Sequence, residues 1–155
     1  RLDWPSVIGN FMLNFGALDL RVLDSLESRL TPETFTKVKV WHLRDRLNLL
    51  KQHLSKDGHL KVTRERFERF FERLEPIREL RNHIAHGTIR MALSDDLKTW
   101  EITLSLPRDL DGSNSPEARH VTFNELDKAR EELGKRMEEF EELDGEWIVD
   151  ADIRF

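Results

Sequence analysis

Apolar residues recur at Ile8, Phe11, Met12, Phe15, Leu18, Val22, Leu23, Leu26 and Leu30, the three-and-four spacing of an amphipathic helix, and predict helix one over about 5–30. Leu13 and Leu20 fall off that stripe, which predicts cover on a second side, by other helices or by a second subunit. Gly16 either weakens this helix locally or admits a close neighbour. Thr31-Pro32-Glu33 reads as a helix start, with Thr31 as N-cap and Pro32 at the first helical position. Val40, Leu43, Leu47, Leu50 and Leu54 then form a narrow packing seam and predict one helix over about 32–55. The early part, Phe35 to Val40, alternates as a strand would, but the seam runs unbroken beyond it. Lys56-Asp57-Gly58 supplies the turn that ends it.

A third helix, over about 63–86, carries Phe67, Phe70, Phe71, Leu74, Ile77, Leu80 and Ile84 inward. Arg64, Glu68, Arg69, Glu72 and Arg73 alternate in sign on its other face, the pattern of a solvated face with i,i+4 pairs. Pro76 is expected to kink or divide it. Beyond Gly87 the period changes to two. Ile89, Met91 and Leu93, a turn signal at Ser94-Asp95-Asp96, and Trp100, Ile102, Leu104 and Leu106 predict a β-hairpin over about 88–106 with one buried face. Asp109 to Ala118 has the composition of an exposed, mobile loop. Thr122-Phe123-Asn124-Glu125 fits a capping box at the start of helix four, about 123–143, with Leu126, Ala129, Leu133, Met137 and Phe140 inward. Its outer face is acidic at Glu131, Glu132, Glu138, Glu139, Glu141 and Glu142, read as a solvated face. Trp147, Ile148, Val149, Ile153 and Phe155 form an apolar tail expected to dock on the helices or to add an edge strand. The fold expected is mainly α: a single domain over 1–155, a bundle of about four helices with a β-hairpin inserted before the last.

Composition narrows the function classes. Charged residues make up 35% and hydrophobic ones 38%, a balance suited to packed helices with charged outer faces. No apolar run approaches the length of a bilayer span and the start carries no secretory signal pattern, so a soluble chain without a membrane partner is expected. The first residue is Arg1 rather than Met, which leaves the native N-terminus open. The absence of cysteine removes disulfides and thiolate chemistry and fits a cytoplasmic protein. A formal charge of −5 argues against non-specific binding to long nucleic acid, which depends on many phosphate contacts, so any RNA contact is local.

The candidate chemistry is concentrated in Arg81-Asn82-His83-Ile84-Ala85-His86-Gly87, where the third helix runs out into a glycine. On a wheel advancing about 100° per residue, Ile77, Leu80 and Ile84 cluster within roughly 60°, while Arg81, Asn82, Ala85 and His86 spread over roughly 140° on another side. One face builds the core and the other is free. Ala85 at its centre leaves room for a ligand or a second helix to approach the backbone between Arg81 and His86.

Arg81-Asn82, three intervening residues, and His86 resemble the R-x4-6-H motif of the HEPN superfamily, in the variant where Asn follows the arginine and Ala precedes the histidine. The order of elements is similar as well, with long helices before the motif and a hairpin and helix after it. The resemblance implies a HEPN-like helical fold and a metal-independent endoribonuclease without cofactor. It also implies a homodimer in which the motif helices of two subunits meet, with a toxin, defence or RNA-processing role and an antitoxin or sensor protein as further partner. His86 is then the acid or base, Arg81 the group that holds the phosphorane oxygens, and Asn82 the residue that orients His86 or binds phosphate. The alternative is a non-catalytic HEPN-like module that keeps the motif for dimerisation or for binding nucleotide or RNA.

Plainer roles stand beside these. A histidine at a helix C-terminus is favoured by the dipole, and Arg81 has Glu79 or Asp19 as scaffold partners. His83 lies outside the motif and points between the two faces. Its spacing to His86 suits a metal, but no further ligand cluster lies nearby in sequence, so no metal site is assigned. His42, His53, His59 and His120 suggest nothing specific.

Overall fold

A computed structural model describes residues 3–56, 61–93, 100–105 and 118–152. Among these residues the chain forms helices α1 (Trp4–Glu27), α2 (Pro32–Val38), α3 (Leu43–Lys56) and α4 (Lys61–His86), strands β1 (Thr88–Leu93), β2 (Trp100–Ser105) and β3 (Ala118–Thr122), and helix α5 (Phe123–Asp152). The fold is mainly helical, with a small antiparallel sheet before the last long helix. No helix among the described residues is long and apolar enough to cross a membrane. The chain divides into two compact units, residues 1–13 with 75–133 and residues 14–74 with 134–155.

In the first unit α1 starts at Asp3, whose carboxylate accepts from the Ser6 N–H at 2.9 Å. The Ser6 side chain, with its backbone N–H, holds the carboxyl below its ordinary range. Trp4 meets Phe123 edge to face at 5.2 Å. The sheet order is β1-β2-β3, with Thr88 paired to Ser105 and Ser105 to Ala118. Register puts Ile89 beside Leu104, and Met91 beside Ile102 and Val121, on one face. Ile102, Leu104 and Val121 are buried, whereas all six residues of β1 are exposed. The expected buried face therefore exists under β2 and β3 and not under β1, because β1 is an edge strand that the core does not reach. The expected hairpin also gains a third strand. Its turn at Ser94-Asp95-Asp96 and the Asp109–Glu117 part of the expected loop lie outside the described residues.

The Thr122 capping box forms. The Thr122 hydroxyl accepts from the Glu125 N–H at 3.2 Å and the Glu125 carboxylate accepts from the Thr122 N–H at 2.7 Å. The Thr122 backbone N–H, with its hydroxyl, holds the Glu125 carboxyl below the ordinary range. A carboxyl whose pKa is lower folded than unfolded stabilises above its unfolded pKa, and the contribution fades as pH falls through the folded value. Thr122→Ala is expected to cost about 1 kcal/mol near neutral pH. The stability difference between the parent and Glu125→Gln is expected to shrink as denaturation is repeated below about pH 4; a difference that grows on acidification would contradict the cap.

In the second unit Phe67 and Phe70 of α4 pack on Phe140 of α5, with centroids 6.4 and 5.6 Å apart, and Phe71 packs on Phe67 and Phe70 within α4. Phe67 also meets Trp147 at 5.7 Å. The single helix expected over 32–55 is two helices. Arg46, buried in α3, donates to the Lys39 carbonyl at 2.6 Å and the Val38 carbonyl at 3.4 Å, capping the end of α2. Its guanidinium also takes the Asp19 carboxylate at 2.5 Å, so Asp19 is committed within this unit rather than to Arg81. Val38 is consequently the buried residue and Val40, expected in the seam, is exposed.

Pro76 does not divide α4, which is continuous through it. Pro76 and Glu72, whose carbonyl loses its helical donor, both lie on an exposed side of the helix. Helix α5 likewise continues through Gly145 instead of ending near 143. Asp144 accepts from Ser25 at 2.6 Å and pairs with Arg29 at 2.8 Å, and Arg29 lies over the Trp147 ring at 3.9 Å. These contacts outweigh the roughly 1 kcal/mol helix cost of the glycine. Much of the acidic face of α5 is not merely solvated, since Glu139 pairs with Arg73 and Arg136, Glu141 with Arg21, and Glu142 and Glu146 with Arg66.

Candidate functional site

The last turns of α4 carry the motif, and the first unit positions it. Ile77, Leu80 and Ile84 are buried, while Ala85 and His86 are exposed and Arg81 and Asn82 are half-buried. The two faces anticipated from the wheel are thus separated as expected. Gly87 ends the helix, its N–H donating to the His83 carbonyl at 2.9 Å, and β1 begins at the next residue. A Cβ at Gly87 would lie 2.3 Å from the His83 carbonyl oxygen and 2.8 Å from that of Ser105. Glycine is required here for close backbone approach between the helix end and β2, which fixes the direction in which the motif faces.

Arg81 and His86 come together. Arg81 Nη1 lies 3.5 Å from His86 Nε2, at the long limit of a hydrogen bond. A guanidinium only donates, so Nε2 is the acceptor in this contact and the proton of a neutral ring sits on Nδ1. Asn82 takes a different partner from the one expected. Its Oδ1 accepts from Arg81 Nη1 at 3.3 Å, so the amide bears on the guanidinium rather than on the imidazole one turn away.

His83 is separated from this group. It is 8% exposed, and its Nδ1 donates to the Glu79 carbonyl at 2.9 Å, the bond that a helical histidine makes to the preceding turn. Its Nε2 is buried with no hydrogen-bond partner among the described residues. Among those residues there is also no group of three side chains placed to hold a metal. His120, on β3, is 3.2 Å from the Thr103 hydroxyl, a cross-strand contact.

A groove of about 430 Å³ in the second unit is lined by Arg21, Asp24, Ser25, Asp144 and neighbouring residues. Asp144 is already bound to Ser25 and Arg29, and Arg21 to Glu141, so its polar walls are held in structural pairs. Chemically, the exposed end of α4 offers what the groove does not: a fork of N–H donors beside an imidazole nitrogen with a lone pair. Compared with protein-family models, curated proteins and solved structures, the chain matches none.

Proposed function

We propose that the chain is a metal-independent endoribonuclease of the HEPN-like kind, with Arg81, Asn82 and His86 as its working residues. The observation that carries this reading is the convergence of Arg81 Nη1 and His86 Nε2 to 3.5 Å on an open helix end. Such a pair suits attack by an RNA 2′-hydroxyl on its own 3′-phosphate. His86 Nε2 takes the hydroxyl proton as the O2′–P bond forms. The P–O5′ bond breaks and O5′ receives a proton, leaving a 2′,3′-cyclic phosphate and a 5′-hydroxyl. Because His83 is buried, one chain offers one exposed imidazole here, and the second proton comes from His86 of a second copy, as the resemblance implies.

Arg81 acts on charge. The phosphorane carries more negative charge on its non-bridging oxygens than the ground state, so a guanidinium held beside them lowers the barrier. Asn82, hydrogen-bonded to Arg81, keeps that fork from rotating away. Ala85 leaves the space between them open to the ribose-phosphate backbone. The test is single-stranded RNA in excess EDTA with the parent and with His86→Ala. Cleavage by the parent alone is expected; cleavage by both alike, or by neither, overturns the assignment. His86 is exposed, so the variant is expected to melt with the parent.

A further inference from the structure

On helix α1 the residues Gly9, Leu13, Gly16 and Leu20 follow one another at spacings of four, three and four, which places them on one side of the helix. That side is not the one buried through Val7, Phe11, Phe15, Leu18 and Val22. Leu13 is 73% exposed and Leu20 61% exposed. Among the described residues, a Cβ added at Gly9 or at Gly16 would meet nothing within 4 Å. One unbroken helix therefore presents two uncovered leucines alternating with two uncovered notches.

We infer that this seam docks a second copy of the chain by antiparallel pairing of the two α1 helices. The seam is self-complementary. In a two-fold interface, residue i meets j and j meets i, so a helix pairs with itself only if its large and small positions are mirrored about one point. Leu13 and Gly16 lie equally far on either side of the midpoint between Asn14 and Phe15, and Gly9 and Leu20 lie equally far from that same midpoint. Antiparallel pairing about it seats each leucine on a glycine of the other copy: Leu13 over Gly16 and Leu20 over Gly9, twice over. Met12 falls opposite Ala17 by the same symmetry, again large against small. Parallel pairing in register would set leucine on leucine and leave the glycines facing each other across a gap.

Charge favours the same arrangement. The ends of α1 are capped within the chain, by the Asp3 carboxylate on the Ser6 N–H and by Arg29 on the Ser25 carbonyl, so what pairing adds is the opposition of the two dipoles. Antiparallel pairing opposes the two dipoles and brings Asp24 opposite Pro5, at the positive end of the other helix. Glycine at the contact lets the two backbones approach closely, and the leucines then fill the notches.

The pairing is argued from α1 alone and rests on nothing in the RNA reading. It is tested by sedimentation of the full chain over a range of concentrations. A reversible dimer is expected, with Leu13→Asp weakening it by roughly thirtyfold while the melting temperature of the dilute protein stays unchanged. Gly16→Leu separates interface loss from folding damage, because it blocks the notch yet raises helix propensity. It is expected to weaken the dimer while leaving the monomer as stable or more so. The chain has no cysteine, so a Gly9→Cys, Leu20→Cys double variant gives a clean cross-link. The two positions lie roughly 16 Å apart along one helix, too far for an intrachain disulfide, and oxidation is expected to yield a covalent dimer. A chain that stays monomeric throughout overturns the pairing. So does a dimer that survives Leu13→Asp and does not cross-link; the meeting of two His86 side chains in the RNA reading is a separate contact, tested by cleavage.

Discussion

Arg81→Lys is expected to lower RNA cleavage about as severely as Arg81→Ala, by roughly 10²–10³-fold, with the loss in kcat rather than in KM. Lysine keeps the charge but presents a point donor in place of a planar fork. Nη1 carries the contact to Asn82 Oδ1, and its 3.5 Å approach to His86 Nε2 is given up when that nitrogen's one lone pair takes the hydroxyl proton. An ammonium that holds the amide has no planar pair of donors left to bracket the non-bridging oxygens. Charge alone would support ground-state binding of phosphate, so a lysine variant that binds RNA normally but cuts slowly is the signature sought. Single-turnover kinetics on one oligonucleotide would separate the two quantities. Full activity in Arg81→Lys would mean that Arg81 serves only as a positive charge, and a raised KM with unchanged kcat would remove it from the transition state.

The second large effect is structural and falls on Gly87. Gly87→Val is expected to destabilise the fold by about 3 kcal/mol or more, and Gly87→Ala by about 1–3 kcal/mol. The added Cβ meets two backbone oxygens, those of His83 and Ser105, and backbone cannot swing aside as a side-chain tip can. Relief requires the end of α4 to move away from β2, and the motif moves with it. For a chain of this size each kcal/mol lowers the melting temperature by roughly 2–4 °C. Thermal unfolding followed by circular dichroism measures the loss. Cleavage is expected to fall in both variants even at temperatures where they remain folded. An alanine variant that melts with the parent would show that the junction has slack, and the orientation of the motif would need another cause.

These expectations rest on features that the sequence revealed unevenly. The 3.6-residue period placed α1, α4 and the start of α5 well, because each buries one continuous stripe such as Phe67, Phe70, Leu74, Ile77, Leu80 and Ile84. The caps at Thr31 and Thr122 were readable because capping is local chemistry between residues three apart. What was not readable depends on side chains distant in sequence. The break after Val38 is held by Arg46, seven and eight residues on, and nothing in the apolar pattern marks a buried arginine as a helix cap. Strand β3 has Val121 as its one large apolar residue, so alternation could not reveal it. Helix α5 runs past Gly145 because of Asp144 and Trp147, whose partners Ser25, Arg29 and Phe67 come from α1, the segment just after it and α4.

The candidate site divides in the same way. Separation of Arg81 and His86 from the buried face was legible, since it follows from angle alone. The exclusion of His83 agrees with its burial and its bond to the Glu79 carbonyl. The partner of Asn82 was not legible. Its neighbours at one and at four residues are both within reach, and the choice of Arg81 over His86 depends on rotamers that spacing does not fix. That choice shifts the proposed role of Asn82 from orienting the imidazole to steadying the guanidinium.

The central claim, that this helix end cuts RNA with the substrate's own hydroxyl, is tested most directly by one substitution in the substrate. An oligoribonucleotide cleaved by the protein in excess EDTA is compared with the same strand carrying a single 2′-deoxynucleotide on the 5′ side of the scissile phosphate, and the product ends are read by mass spectrometry. The account predicts a 2′,3′-cyclic phosphate and a 5′-hydroxyl from the first strand and no cut at that position in the second. Cleavage of the deoxy-substituted strand at the same phosphate, or products bearing a 5′-phosphate, would contradict it.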